Sequence, residues 1–188
     1  VVILGQGIVG NLYSQAVRER LPNRVITVDP LELRCEISKE VGADIALNIS
    51  GEDSVNTILD LTNGKGADVV VDCVASSGAS NSFGDAQRMV KNDGLIHVIG
   101  RYQGSKKRGD GLVSLDTALI NNTTIIGGIG SDDLIPSIMK DAVEALINGL
   151  IKVQPLITHR RPGLEADQAY HFLYENPDQA MAVILEWD

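Results

Sequence analysis

At 188 residues, with 44% hydrophobic and 22% charged side chains, the chain has an ordinary globular composition and the length of one domain, or one domain with an appendage. A net charge of −9 excludes nucleic acid and anionic membrane as main partners, because both demand a basic face. No stretch reaches the roughly 20 apolar residues that span a bilayer, and no charged start followed by a short apolar run marks a signal peptide.

The first residue is a valine that already reads as strand, so a piece of a longer protein is expected. Val1-Val2-Ile3-Leu4 is a short apolar run suited to a buried parallel strand. It stops at Gly5-Gln6-Gly7-Ile8-Val9-Gly10, a G-x-G-x-x-G turn, and Asn11 onward reads as a helix with Leu12, Ala16 and Val17 on one side. A second strand, Arg24–Val28, ends at Asp29, nineteen residues after Gly10. In that context the glycines imply a dinucleotide site. Gly5 allows the tight turn, Gly7 lets backbone approach a pyrophosphate, and Gly10 lets helix and strand pack closely. The helix's free N–H groups, with those of Ile8 and Val9 among them, and its positive dipole end are expected to hold the phosphates. Asp29 can accept hydrogen bonds from both ribose hydroxyls and would repel a 2′-phosphate, so NAD is expected over NADP.

Pro30 suits a turn or a first helical turn. A helix follows from about Leu31 to Val41, ended by Gly42, then a short strand over Asp44–Leu47. Cys35 lies on that helix and reads as structural. Ser50-Gly51-Glu52-Asp53 resembles a capping box opening a helix to about Leu61. Ala67–Val74 is the clearest buried strand of the chain. A helix over Ser80–Val90 and a turn at Asn92-Asp93-Gly94 lead to a strand over Leu95–Gly100. Arg101–Gly111, with Lys106, Lys107 and Arg108, reads as a polar surface loop. Thr123–Gly127 is a sixth strand, and Ser131 a cap for a helix that runs to about Asn148 before Gly149.

Strands alternating with helices imply an α/β fold, a doubly wound parallel sheet (Rossmann fold) of order 3-2-1-4-5-6. Ligand is then expected where the order reverses, among Gly5–Gly10, Asp29, Cys73-Val74 and Gly100. From Leu150 the pattern changes to a short apolar stretch (Lys152–Thr158), a helix (Leu164–Tyr174) and a strand (Ala182–Trp187). Partners for Val183-Ile184-Leu185 are expected in sequence missing from this chain.

Taken in order, several segments resemble the medium-chain dehydrogenase/reductase family, in its zinc-type alcohol and polyol dehydrogenase group. They are Val2–Gly10, Val28-Asp29, Lys39–Asp44, Gly66–Val74, Gly94–Gly100 and Pro155–Arg160. The resemblance implies a C-terminal, NAD-binding half, with residues 1–150 as the dinucleotide-binding domain. Residues 151–188 would be a return segment packing on an N-terminal catalytic domain absent here. It implies that Arg34 flanks the adenosine ribose and that Val74 contacts the adenine or nicotinamide side. Ile99-Gly100 and Gly128-Ile129 would line the nicotinamide. Where the family has Arg or Lys reaching the pyrophosphate, this chain has Ala182. Asp29 speaks against the quinone-reductase branch, which tends to lack that acid and to use NADPH.

His97, His159 and His171 are scattered, with no carboxylate or cysteine at ligand spacing, so no catalytic or metal-binding residue is expected in this chain. His97 reads as a satisfied strand histidine, and His159 as one bonded to a nearby loop. Zinc, by the resemblance, belongs to the missing catalytic half. The expected function is NAD-dependent oxidation of an alcohol or polyol, or the reverse reduction of a carbonyl, with this piece alone inactive. The alternative is an NAD-binding sensor without turnover. Cys35 and Cys73 are too few for a disulfide framework, so a reducing, cytoplasmic setting is expected. A homodimer or homotetramer through the sheet's edge strand is expected as well.

Overall fold

The structure, a computed structural model, describes residues 1–20, 24–75, 79–100, 115–128 and 135–187, with 79–81 and 115–117 by their backbone alone. Six parallel strands form one sheet in the order β3-β2-β1-β4-β5-β6. They are β1 (Val2–Leu4), β2 (Ile26–Val28), β3 (Ile45–Leu47), β4 (Ala67–Asp72), β5 (Val90–Val98) and β6 (Thr124–Gly127). β1 lies between β2 and β4, with Val2 opposite Ile26 on one side and Val70 on the other. All three residues of β1 are buried, which is why it reads as an unbroken apolar run and not as an alternating one.

The helices are α1 (Ile8–Arg20), α2 (Glu32–Glu40), α3 (Gly51–Leu61), α4 (Ala79–Met89), α5 (Leu115–Ile120), α6 (Ile135–Ile147) and α7 (Ala166–Glu175). One face of the sheet packs on α3 and α4, joining Val2, Leu4, Ile26, Val28, Val70 and Ile96 to Val55, Ile58, Phe83 and Met89. On the other face Ile3, Val25 and Val71 meet Tyr13 and Val17 of α1. Strands one and four therefore diverge to helices on opposite faces, and a crevice opens at their carboxyl ends.

Several expectations change. Asn92-Asp93-Gly94 is not a free turn; β5 takes it in as an irregularity, and the ladder with β4 slips between Ala67 and Val69. The reason is pairing from outside: the Asp93 amide donates to Asn121 O at 2.8 Å and its carboxylate accepts from Asn122 Nδ2 at 2.8 Å. Ser50 stands extended before α3 but makes no side-chain cap bond; Ser54 Oγ instead donates to Gly51 O at 2.6 Å. The expected Lys106–Arg108 loop and the Ser131 cap lie outside the described residues.

The strand near the C-terminus, β8 (Ala182–Glu186), has its backbone partner within the chain. It pairs in parallel with β7 (Ile157–Pro162), a strand expected to end at His159 that runs on through Arg160 and Arg161. This small sheet is docked on the larger unit. Leu156 and Met181 pack with Leu12, Leu33, Ile37 and Val41 of α1, α2 and the turn after α2. β6 closes the open edge of the main sheet with all four residues exposed, and α6 buries none of its side chains.

Candidate nucleotide-binding site

A cavity of about 720 Å³ opens at the carboxyl ends of β1, β2 and β4. Its floor is the turn between β1 and α1. Gly5 there has φ +82, in the left-handed region, and a Cβ at Gly10 would overlap the Gly5 carbonyl oxygen. Helix and turn thus fit together only without side chains at both positions. The first backbone bond of α1 runs from Asn11 N–H to Gly7 O at 3.0 Å, so the amides of Ile8, Val9 and Gly10 are left for a ligand. A helix of 13 residues places its positive end there, a seat for an anion.

A buried polar lattice holds the turn. Asn11, fully buried, donates from Nδ2 to Gln6 O at 2.6 Å and Gly7 O at 3.3 Å. The Gln6 side chain, also buried, sits within reach of the Ser14 and Ser38 hydroxyls at 3.1 and 3.2 Å, tying α1 to α2 beneath the turn. These contacts satisfy the Asn11 amide NH2 and the Gln6 side chain, while Asn11 Oδ1 stays buried without a partner.

Asp29, the first residue past β2, is 2% exposed. Its Oδ2 accepts from the Gln6 amide at 2.7 Å and its Oδ1 from the Leu31 amide at 2.9 Å. Arg34 Nη1 lies 3.5 Å from Oδ2. One carboxylate that lines the cavity therefore anchors both the glycine turn and the start of α2. A carboxylate can accept further hydrogen bonds beside these, as vicinal hydroxyls would supply.

On the β4 side, Asp72 is fully buried, with Oδ1 accepting from Val74 N–H at 3.1 Å and both oxygens about 3 Å from Ser82 Oγ. Its carbonyl accepts from the amides of Ile99 and Gly100 at 2.9 and 2.8 Å, which joins the ends of β4 and β5. Burial first, and the Asp72 charge second, push the Cys73 thiol up to about 12, so this cavity-lining thiol is no nucleophile. Burial likewise raises Cys35, whose Sγ approaches Asp29 O and Leu47 O at 3.3 and 3.4 Å.

The cavity brings together Gly5, Gly7, Ile8, Val9, Gly10, Asp29, Arg34 and Val74. It does not reach Ile99 or Gly100: Ile99 packs on the α1 face, and Gly100 is pressed against the Val74 backbone, where a Cβ would overlap the Val74 carbonyl. Ile129 lies outside the described residues. Sequence reasoning missed Ile49, Ser50 and Ser54 on the β3 side, Ser82 and Asp85 of α4, and Met181 from the docked C-terminal segment. A carboxyl-end position after β3 was a usable signal for the first group; nothing local marks Met181.

The histidines stand apart from this cavity. His97 Nδ1 pairs with Tyr13 OH at 2.9 Å, whereas His159 makes no loop bond: its Nδ1 is buried without a partner and its ring meets Phe172 edge-on at 4.8 Å. Among the described residues no group of three or more His, Cys, Asp or Glu side chains converges to hold a metal ion. Nor is any described helix long and apolar enough to cross a membrane.

Comparison with known proteins gives a consistent set. The sequence profile of the family described as zinc-binding dehydrogenase matches residues 9–148. The chain is 24% identical over 173 residues to an L-threonine 3-dehydrogenase of Bacillus licheniformis, covering 92% of this chain and 47% of that protein. It is 27% identical over 190 residues to a D-guloside 3-dehydrogenase of Escherichia coli, covering 96% of this chain and 53% of the other. Among solved structures, a zinc dependent alcohol dehydrogenase 2 from Streptococcus pneumonia superposes with a TM-score of 0.80 at 26% identity, over 98% of this chain and 51% of that one. A short chain alcohol dehydrogenase from Escherichia coli CFT073, solved with NADH, superposes with a TM-score of 0.80 at 20% identity, over 98% and 51%. The chain spans about half the length of the relatives it matches.

Proposed function

This chain belongs to the zinc-binding dehydrogenase family, and on that premise we propose that it is the NAD-binding half of an alcohol or polyol dehydrogenase. The observation that carries the reading is Asp29: a buried carboxylate that lines the crevice just past β2, beside the glycine turn. In this reading the Asp29 oxygens accept the two adenosine ribose hydroxyls, and Arg34 flanks the same sugar. The amides of Ile8, Val9 and Gly10 hold the diphosphate. Val74, lining the cavity on the β4 side, contacts the adenine or nicotinamide side. Bound NAD supplies the hydride acceptor; the protein residues here bind and orient it.

Zinc finds no ligand set among the described residues, so the reading assigns it to the half of the relatives that this chain does not span. Residues 1–150 act as the nucleotide-binding domain, and 151–188 as a return segment whose outer face, with Leu164, Tyr174 and Trp187 exposed, meets the catalytic part. The 188-residue chain alone binds NAD and does not turn over an alcohol. The protein assembles as a homodimer or homotetramer through β6, whose Ile125 and Ile126 are exposed at the sheet edge. Free Cys35 and Cys73 agree with a cytoplasmic setting. Calorimetric titration with NAD and with NADP tests the reading. NAD should bind at least about tenfold more tightly, the equivalent of one lost favourable contact. Equal affinities, or turnover by the chain itself, would overturn it.

A further inference from the structure

One wall of the cavity comes from far along the chain. Met181, 8% exposed, lines the same space as Gly5, Gly7 and Gly10 and precedes β8. Its Sδ lies 4.0 Å from Asn11 Nδ2, the group that also holds Gln6 O and Gly7 O of the glycine turn. Three fastenings keep it there. The Met181 amide donates to Thr158 Oγ1 at 3.0 Å. The Lys152 amide donates to Gln15 Oε1 at 2.7 Å, and Gln15 Nε2 donates back to Lys152 O at 3.1 Å. Leu156 and Met181 share an apolar cluster with Leu12, Leu33, Ile37 and Val41. Gln15 and Asn11 both belong to α1, the helix whose first turn is the anion seat. The segment and the seat are therefore parts of one packed unit.

We propose that nucleotide occupancy and docking of residues 152–187 are coupled through Met181 and Asn11, so that each strengthens the other. The inference rests on the nucleotide reading above. A dinucleotide laid across the glycine turn meets the Met181 wall, and its contacts there exist only while the segment is docked. By linkage, the same ligand must then hold the segment in place. Met181 is uncharged, so the coupling acts through packing and not through an ion pair with phosphate. Gln15 and Thr158 are positioning residues, acting through the wall they hold.

Hydrogen exchange of the wild-type chain, free and saturated with NAD or with adenosine, tests this without any variant. NAD should slow exchange of the Leu156, Met181 and Ala182 amides by about fivefold or more, a coupling of ordinary allosteric size, whereas adenosine, which lacks the diphosphate, should not. Gln15→Leu, which removes both bonds to Lys152, should weaken NAD by about fivefold and leave adenosine within about twofold. NAD binding with unchanged exchange in the segment overturns the coupling and leaves the nucleotide reading standing. Equal losses of NAD and adenosine affinity in Gln15→Leu also overturn it, since that is general weakening of the fold. Absence of NAD binding in the wild type overturns the nucleotide reading itself.

Discussion

Replacing Asp29 separates a structural role from a recognition role. In the folded chain this carboxylate, 2% exposed, accepts two backbone amides, Gln6 at 2.7 Å and Leu31 at 2.9 Å. Asp29→Ala leaves both donors without a partner, at about 1–3 kcal/mol each, for a loss of about 2–6 kcal/mol; water entering from the adjacent cavity moves the value toward the lower end. For a domain of this size that is roughly 4–24 °C in Tm. It also removes the carboxylate facing Arg34, although that pair, at 3.5 Å, adds little beside the amide bonds. Asp29→Asn keeps the shape and one acceptor, so its cost should be about half. The Asn variant therefore reads nucleotide recognition with the turn intact, whereas the Ala variant mixes recognition with partial loss of the turn. The assay is thermal or urea unfolding of both variants without nucleotide, followed by NAD titration. Asp29→Ala melting within about 1 °C of wild type would refute the account, because it would mean the two amides are satisfied without the carboxylate.

Other outcomes follow from the same geometry. Gly10→Ala should abolish NAD binding and cost about 3 kcal/mol or more in urea unfolding, because the new methyl overlaps backbone at Gly5 and not a flexible side chain. Alkaline pH should destabilise the fold. Burial raises the Cys73 thiol to about 12 and moves Cys35 and Tyr13 upward, so the folded chain holds protons that the unfolded chain sheds from its ordinary cysteine value of 9. Stability from these groups is complete below pH 9 and is lost as pH rises toward 12; the urea midpoint should hold steady near neutral pH and fall above 9, less steeply in Cys73→Ala. If β6 joins two copies, Ile126→Lys at the exposed edge should give a monomer by light scattering where the parent chain gives a dimer.

Much of this protein could be read directly from residue order. The unbroken apolar runs at Val2–Leu4 and Val69–Val71, the glycines that must carry no side chain, and the acid after β2 are local features. Their chemistry permits few alternatives, and together they dictate a parallel sheet with a crevice at its switch point. What escaped such a reading depended on groups distant in sequence. Asn92-Asp93-Gly94 has turn chemistry, yet Asn121 and Asn122 take its hydrogen bonds and draw it into β5. His159, read as a loop-bonded histidine, meets Phe172 because α7 packs on β7. Met181 reaches the cavity only because Leu156 and the Gln15–Lys152 bonds dock its segment on α1 and α2. Propensity and periodicity act within a few residues along the backbone, whereas hydrogen-bond satisfaction and burial are settled between segments. The amino-acid order thus determined the sheet, its crevice and the carboxylate within it; tertiary packing alone decided which distant residue would form the crevice's remaining wall.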